Sequence, residues 1–137
     1  MGEVRVKTLV TNAMDDSLAR RGKIQKNEIR KQEVTALVDT GAVRCVVPVD
    51  VIKLLGIELR GETTAEYADG RKEVVGITEP VIFTLNNRST VEEALVLGDE
   101  VLIGQTVLEK LDLFVDCAGQ RLVPNPAHPD QAVSKVK

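Results

Sequence analysis

Ala36-Leu37-Val38-Asp39-Thr40-Gly41-Ala42 is the stretch on which the reading of the fold turns. Three apolar residues run straight into a carboxylate, a hydroxyl and a glycine. The apolar run reads as a strand entering a core, and that strand ends on an acid. A carboxylate taken out of water without partners is costly, so it is usually paired, neutralised or used. Gly41 lets the backbone turn sharply and approach another group closely. Asp39 is therefore the first candidate functional residue, and the rest of the chain reads as its support.

Upstream, Val4 to Val10 alternates Val-Arg-Val-Lys-Thr-Leu-Val, the period of a half-buried strand. Thr11 to Gly22 reads as a loop, Ile24 to Lys31 as an exposed strand arm or a frayed helix with strand favoured, and Glu33 to Val38 as the strand that delivers Asp39. Downstream, Pro48 suits a helix start, Val51, Ile52, Leu54 and Leu55 have helical spacing, and Gly56 follows as a stop. Ile57 to Thr64 is a weaker extended stretch. Glu66 to Val75 reads as a hairpin around Asp69-Gly70, a pair suited to a type I′ turn, with a polar, mobile tip. Val81 to Leu85, the turn Asn86-Asn87, and Val91 to Leu97 form a second hairpin. Val101 to Gly104 suits a strand covered on both faces. Thr106 and Glu109 have capping-box spacing for a short helix through Leu111. Leu113 to Val115 and Gln120 to Val123 are the last strands, and the prolines from Pro124 onward predict a loose tail.

These elements predict one mainly β domain over residues 1–124, a closed or orthogonal β-barrel with one or two short helices, and a flexible tail over 125–137. The length of 137 residues suits a single domain, and 43% hydrophobic residues suffice for a core. Only 2% are aromatic, so that core must be aliphatic. The net charge of -3 makes no case for nucleic acid. Residues 1–33 carry 8 basic and 5 acidic side chains and the remainder 10 and 16, an asymmetry that reads as solvated surface. No apolar run reaches membrane-spanning length, and no apolar leader is read at the start. Cys45 and Cys117 lie far apart without metal-ligand spacing, which fits a reduced, cytoplasmic setting. Asp69, Asp99 and Asp112 form no ligand-spaced cluster, so neither metal nor cofactor is expected.

Leu37-Val38-Asp39-Thr40-Gly41-Ala42, an apolar run, a hairpin, and then Leu102-Ile103-Gly104 before a short helix together resemble the retroviral-type aspartic proteases. More narrowly they resemble the small prokaryotic single-domain members, through the Pro-led helix ending in Leu55-Gly56 and the Ala68-Asp69-Gly70 hairpin. The likeness spans about residues 4 to 124. It implies a retropepsin-like barrel and an aspartic endopeptidase. In that chemistry two Asp-Thr-Gly loops face each other, and the carboxylates share a proton and a water. Like charges about 3 Å apart do not both ionise, so one acid activates water and the other polarises the peptide carbonyl. The chain has one such motif, so the resemblance implies a homodimer with Asp39 from each copy on the two-fold axis. It further implies that Thr40 braces the paired loops and that Gly41 offers a carbonyl to a peptide or protein substrate. Ala42 would complete the loop. Tyr67, Ala68, Asp69 and Gly70 would belong to the flap, Ile103 and Gly104 would pack behind the loop, and Arg121 to Pro124 would join an intersubunit sheet.

The chain departs from that pattern in places. The retroviral acid two residues after the motif glycine, and the Arg that pairs with it, are here Val43 and Gln105. Cys45 stands where Thr or Ser is usual, and the hairpin has only Gly70 at its tip. Plainer readings stand beside the sharp ones. Asp39 can cap its own turn, Thr40 can be a strand-end hydroxyl, and Tyr67 can simply pack. Cys45 reads as a buried inert thiol and His128 as an exposed, idle side chain. The alternative to the enzyme is a peptide-binding or dimerisation module of the same fold with weak turnover. A third reading is a plain β-barrel whose Asp-Thr-Gly is accidental.

Overall fold

A computed structural model describes residues 3–136. In chain order the elements are β1 (Val4–Asn12), α1 (Ala13–Arg20), a 3-10 turn (Lys26–Glu28), β2 (Lys31–Val38), β3 (Val46–Val47) and α2 (Val49–Leu54). There follow β4 (Leu59–Glu66), β5 (Lys72–Thr78), β6 (Val81–Leu85), β7 (Arg88–Glu92), β8 (Leu95–Val96), β9 (Leu102–Ile103), α3 (Gln105–Leu111), β10 (Leu113–Asp116) and β11 (Arg121–Pro124). Nine strands make one sheet in the order β4-β5-β8-β3-β9-β2-β1-β6-β7, and β10 pairs with β11 in a separate ribbon. The chain is mainly β, as its sequence pattern predicts.

The core is aliphatic apart from Phe83. Val10, Ala36, Val47, Val81, Phe83, Leu85, Ile103, Val107 and Leu111 are buried in one cluster. Each such Leu, Ile or Phe contributes about 1.5–3 kcal/mol of burial. Strand alternation selects these residues: Val81, Phe83 and Leu85 face inward from β6, with Ile82 and Thr84 between them. The buried hydroxyl of Thr78 accepts the Ala94 N–H at 2.9 Å, so this inward polar group is satisfied.

Several local expectations change. Thr11 to Gly22 is not a loop, because β1 runs to Asn12 and a third helix, α1, follows. Asn12 caps that helix by accepting the Asp15 N–H at 3.0 Å, with Asp15 and Asp16 in the first turn and Arg20 in the last. Ile24 to Lys31 is not a strand arm. It holds the 3-10 turn, closed by Glu28 Oε1 accepting the Gln25 N–H at 2.8 Å.

The Asp69-Gly70 turn is not type I′, because only Gly70 has positive φ, at 89°. The Gly70 N–H donates to Tyr67 O at 2.9 Å and the Tyr67 N–H to Arg71 O at 2.8 Å, a type I turn followed by a left-handed glycine. The two-positive-φ turn lies instead at Asn86-Asn87, with φ of 49° and 63°. Val91 to Leu97 is not one strand, since β7 ends at Glu92 and β8 begins at Leu95 beside β3 and β5.

The Thr106–Glu109 capping box does not form. Gly104 is the N-cap of α3, and the Thr106 hydroxyl is engaged elsewhere.

The C-terminal residues carry hydrogen bonds. Asp112, in the left-handed region at φ 57°, accepts through its side chain from Asn125 Nδ2 at 2.9 Å and from the Val133 N–H at 3.1 Å. His128 is not idle: its Nδ1 lies 2.6 Å from Asp112 Oδ2, and its carbonyl accepts from Arg88 Nη2 at 2.8 Å. Arg88 also donates to the Leu111 and Asp112 carbonyls, which closes the C-terminal end of α3.

Candidate active site

β2 delivers Asp39 by its pairing with β9. Those strands are parallel, with Leu37 opposite Leu102 and Val38 opposite Ile103. The Leu37 N–H donates to Val101 O and the Asp39 N–H to Ile103 O, both at 2.9 Å. Past Asp39 the chain reverses in a four-residue turn, with the Ala42 N–H donating to Asp39 O at 3.1 Å. Asp39 is half-buried rather than buried, and Thr40 and Gly41 are exposed. The Asp39 carboxylate accepts the Gly41 N–H through Oδ1 at 3.0 Å. That is the self-capping contact of the plainer reading, and it also fixes the direction of the carboxylate. Among the described residues, no cation lies within ion-pair distance of Asp39. The loop presents an uncompensated acid on the surface of one chain.

Ile103, Gly104 and the start of α3 back this loop. The Gln105 N–H donates to Ala42 O at 2.8 Å and the Thr106 N–H to Val43 O at 3.0 Å. Gly104 permits this approach, because a Cβ there would sit 2.6 Å from Arg44 O and 2.9 Å from Ala42 O. Hydrogen bonds therefore join Asp39, Gly41, Ala42, Ile103, Gln105 and Thr106 into one unit, with Gly104 packed against the loop's backbone. Val43 and Gln105 make no side-chain bond to each other; Gln105 Nε2 instead reaches Glu109 Oε1 on its own helix at 3.4 Å.

Tyr67, Ala68, Asp69 and Gly70 stand apart, at the tip of the β4–β5 hairpin. Among the described residues, no hydrogen bond joins them to the Asp39 loop. The tip braces itself through Arg71, whose guanidinium lies 4.5 Å over the Tyr67 ring and donates through Nε to Asp69 Oδ2 at 3.0 Å. The Tyr67 hydroxyl donates to the Glu73 carboxylate, which pushes the phenol pKa up.

Cys45, just past the loop, is buried, and desolvation pushes its thiol up to about 12. It is not a nucleophile at neutral pH. Clefts of about 430 Å³ beside Arg44, Cys45 and Glu92, and about 590 Å³ along α3 and residues 133–135, do not include Asp39. Among the described residues, no three His, Cys, Asp or Glu side chains gather as a metal site, and no helix is long and apolar enough to cross a membrane.

The Asp39 loop is legible in the sequence, but its neighbour Thr106 and the separate Asp112–His128 contact are not. The Thr106–Glu109 spacing predicts a helix cap, whereas the Thr106 hydroxyl lies at the loop's back, two residues after Gly104. The Asp112–His128 contact joins residues 16 apart and has no local signature.

Known structures share this architecture. The EIAV protease in complex with the inhibitor HBY-793 superposes with a TM-score of 0.56 at 17% identity, over 79% of this chain and 86% of that one. The retroviral protease-like domain of Ddi1 from Leishmania major gives 0.55 at 15% identity, over 92% and 90%. At such identity the likeness is one of fold, and the fold is retropepsin-like. No curated protein sequence matches the chain. The family model described as "gag-polyprotein putative aspartyl protease" matches residues 25–110, and the chain belongs to that family.

Proposed function

We propose that the protein is an aspartic endopeptidase that works as a homodimer, with Asp39 of each copy forming the catalytic pair. The observation that carries this reading is the Asp39 loop itself. It is hydrogen-bonded from behind, its half-buried acid has no cation within ion-pair distance among the described residues, and the chain supplies no second Asp-Thr-Gly. A second copy provides the missing carboxylate by symmetry. Val43, 71% exposed beside the loop, is an apolar side chain that such a partner would cover.

In the pair, one carboxylate ionises and the other holds a proton, because two adjacent negative charges repel. The ionised acid takes a proton from water as that water attacks the peptide carbonyl, and the protonated acid donates to the carbonyl oxygen. The Thr40 hydroxyls bond across the axis, the Gly41 carbonyl receives a substrate N–H, and the Tyr67–Gly70 hairpin closes over the peptide. The substrate is a peptide or unfolded protein, and no cofactor takes part.

The absence of an acid–arginine pair at Val43 and Gln105, with the self-capped Asp39 carboxylate, favours a second reading: a peptide-binding or dimerisation module with weak turnover. Asp39→Asn separates the two. The endopeptidase reading expects wild-type cleavage of an unfolded protein between roughly pH 4 and 7, and none by the variant. Equal cleavage by both proteins overturns it, and a strictly monomeric species at high concentration by light scattering overturns both readings.

A further inference from the structure

We propose that Thr106 is a positioning residue for the Asp39 loop, bracing it by a neutral hydroxyl where an acid–arginine pair is missing. The proposal rests on the endopeptidase reading for its catalytic consequence but not for its geometry.

Thr106 Oγ1 donates to the Val43 carbonyl at 2.6 Å, across 63 residues of chain. The Thr106 N–H reaches the same carbonyl at 3.0 Å, and the Gln105 N–H reaches Ala42 O at 2.8 Å. Two consecutive carbonyls that leave the loop thus receive three donors from the first turn of α3. On the other side of Asp39, the Asp39 N–H is bonded to Ile103 O. The segment Ile103–Thr106 therefore clamps the loop before and after its acid.

The clamp is needed because little else holds this point of the backbone. The Val43 side chain is 71% exposed, so its own packing does little to fix its main chain within one copy. The Gln105 side chain is turned toward Glu109 and gives no help. The Gln105 N–H does not depend on residue 106, and the N–H of residue 106 is available to any residue but proline; the hydroxyl is the part that residue identity controls. Thr106 is half-buried, where a short hydrogen bond competes well with water. Without it, Val43 O keeps one donor, and the turn Asp39–Ala42 gains freedom that shifts the carboxylate. Displacing a catalytic group by a fraction of an ångström is costly in rate and nearly silent in substrate affinity.

The test compares Thr106→Val, which keeps the shape and removes the donor, with Thr106→Ser, which keeps the donor. Amide hydrogen exchange at Gly41 and Ala42 is read by NMR against the buried strand amide of Val10. In Thr106→Val the loop amides exchange on the order of 10-fold faster while Val10 is unchanged. Thr106→Ser matches wild type. With a peptide substrate, kcat of Thr106→Val falls on the order of 10-fold and KM stays within about 2-fold. Loop exchange in Thr106→Val equal to wild type overturns the proposal, and so does equal acceleration at Val10, which would mark general destabilisation. If the wild-type protein cleaves nothing, the endopeptidase reading fails and the exchange comparison alone decides the role of Thr106.

Discussion

Asp15 holds Arg30 from two sides: Oδ2 accepts Arg30 Nε at 2.8 Å and Oδ1 accepts Nη2 at 3.0 Å. Asp15 Oδ2 also accepts the Arg30 main-chain N–H at 3.0 Å. The Asp15 side chain is 7% exposed and Arg30 is 53% exposed. This fork ties α1 to the chain just before β2, and Arg30 lies across Gly56, where a Cβ would come within 1.9 Å of Nη1.

Removing the arginine strands the acid. Arg30→Ala is expected to destabilise the fold, because Asp15 loses the partner of its little-exposed carboxylate. Gly56→Ala is expected to destabilise through its φ of 62° and by displacing the guanidinium. The two effects share one contact, so Gly56→Ala costs less in the Arg30→Ala background. Urea melts of the four proteins check this, and strict additivity contradicts it.

Acid should open the C-terminal contacts before the core. The Asn125 side-chain amide, aided by the Val133 N–H and His128, holds the Asp112 carboxyl below its usual range. A depressed folded value contributes stability above the ordinary carboxylate pKa of 3.8, and that contribution is lost as pH falls through the folded value. The Arg30 hydrogen bond holds Asp15 below the same ordinary value, so both losses fall in the same acid window. Asn125 and Val133 amides should therefore exchange faster below about pH 4, and Asp112→Asn should show that fast exchange at neutral pH. Unchanged exchange in the variant rules out the clasp.

Gly104 tests the fit behind the loop. Gly104→Ala forces Arg44 O and Ala42 O, both main-chain atoms, away from a new Cβ. The expected cost is about 1–3 kcal/mol, the range for overpacking a tight site. Cleavage should fall further than the loss of folded protein explains, because the displaced carbonyls belong to the Asp39 loop. A thermal melt beside kcat on the same sample separates the two.

The two cysteines should react differently. Burial and a pKa near 12 leave Cys45 as a protonated thiol at pH 8, whereas Cys117 is exposed in the β10–β11 turn. One thiol should alkylate in the native protein and two after denaturation. Rapid modification of both without denaturant contradicts the buried placement.

The Asp39 loop, the Pro48 helix, the two hairpins and the aliphatic strands were legible because each has a local cause. Alternation selects a strand face, Pro48 presets a helix entry, and a glycine ends that helix. Helix α1 has a local signal, Asn12 ahead of Asp15 and Asp16, but the polar composition of Thr11 to Gly22 reads as a loop. Gly70 and Asn86-Asn87 were recognised as turn residues, but the turn type depends on how the strands pair beside them. Thr106 shows the same limit. Its spacing to Glu109 fits a capping box, and an accessible carbonyl from residue 43 took the hydroxyl instead.

The sequence by itself determined that this chain is mainly β, that an apolar strand ends on Asp39-Thr40-Gly41, and that only one such motif is present. Those properties follow from side-chain period and residue identity, which act over a few neighbours. Only the tertiary structure decided how far Asp39 is exposed, what stands behind it, and that Asp112 gathers Asn125, His128 and Val133. Those depend on which distant backbone groups come within about 3 Å of each other, the range over which a hydrogen bond acts and which sequence separation does not encode.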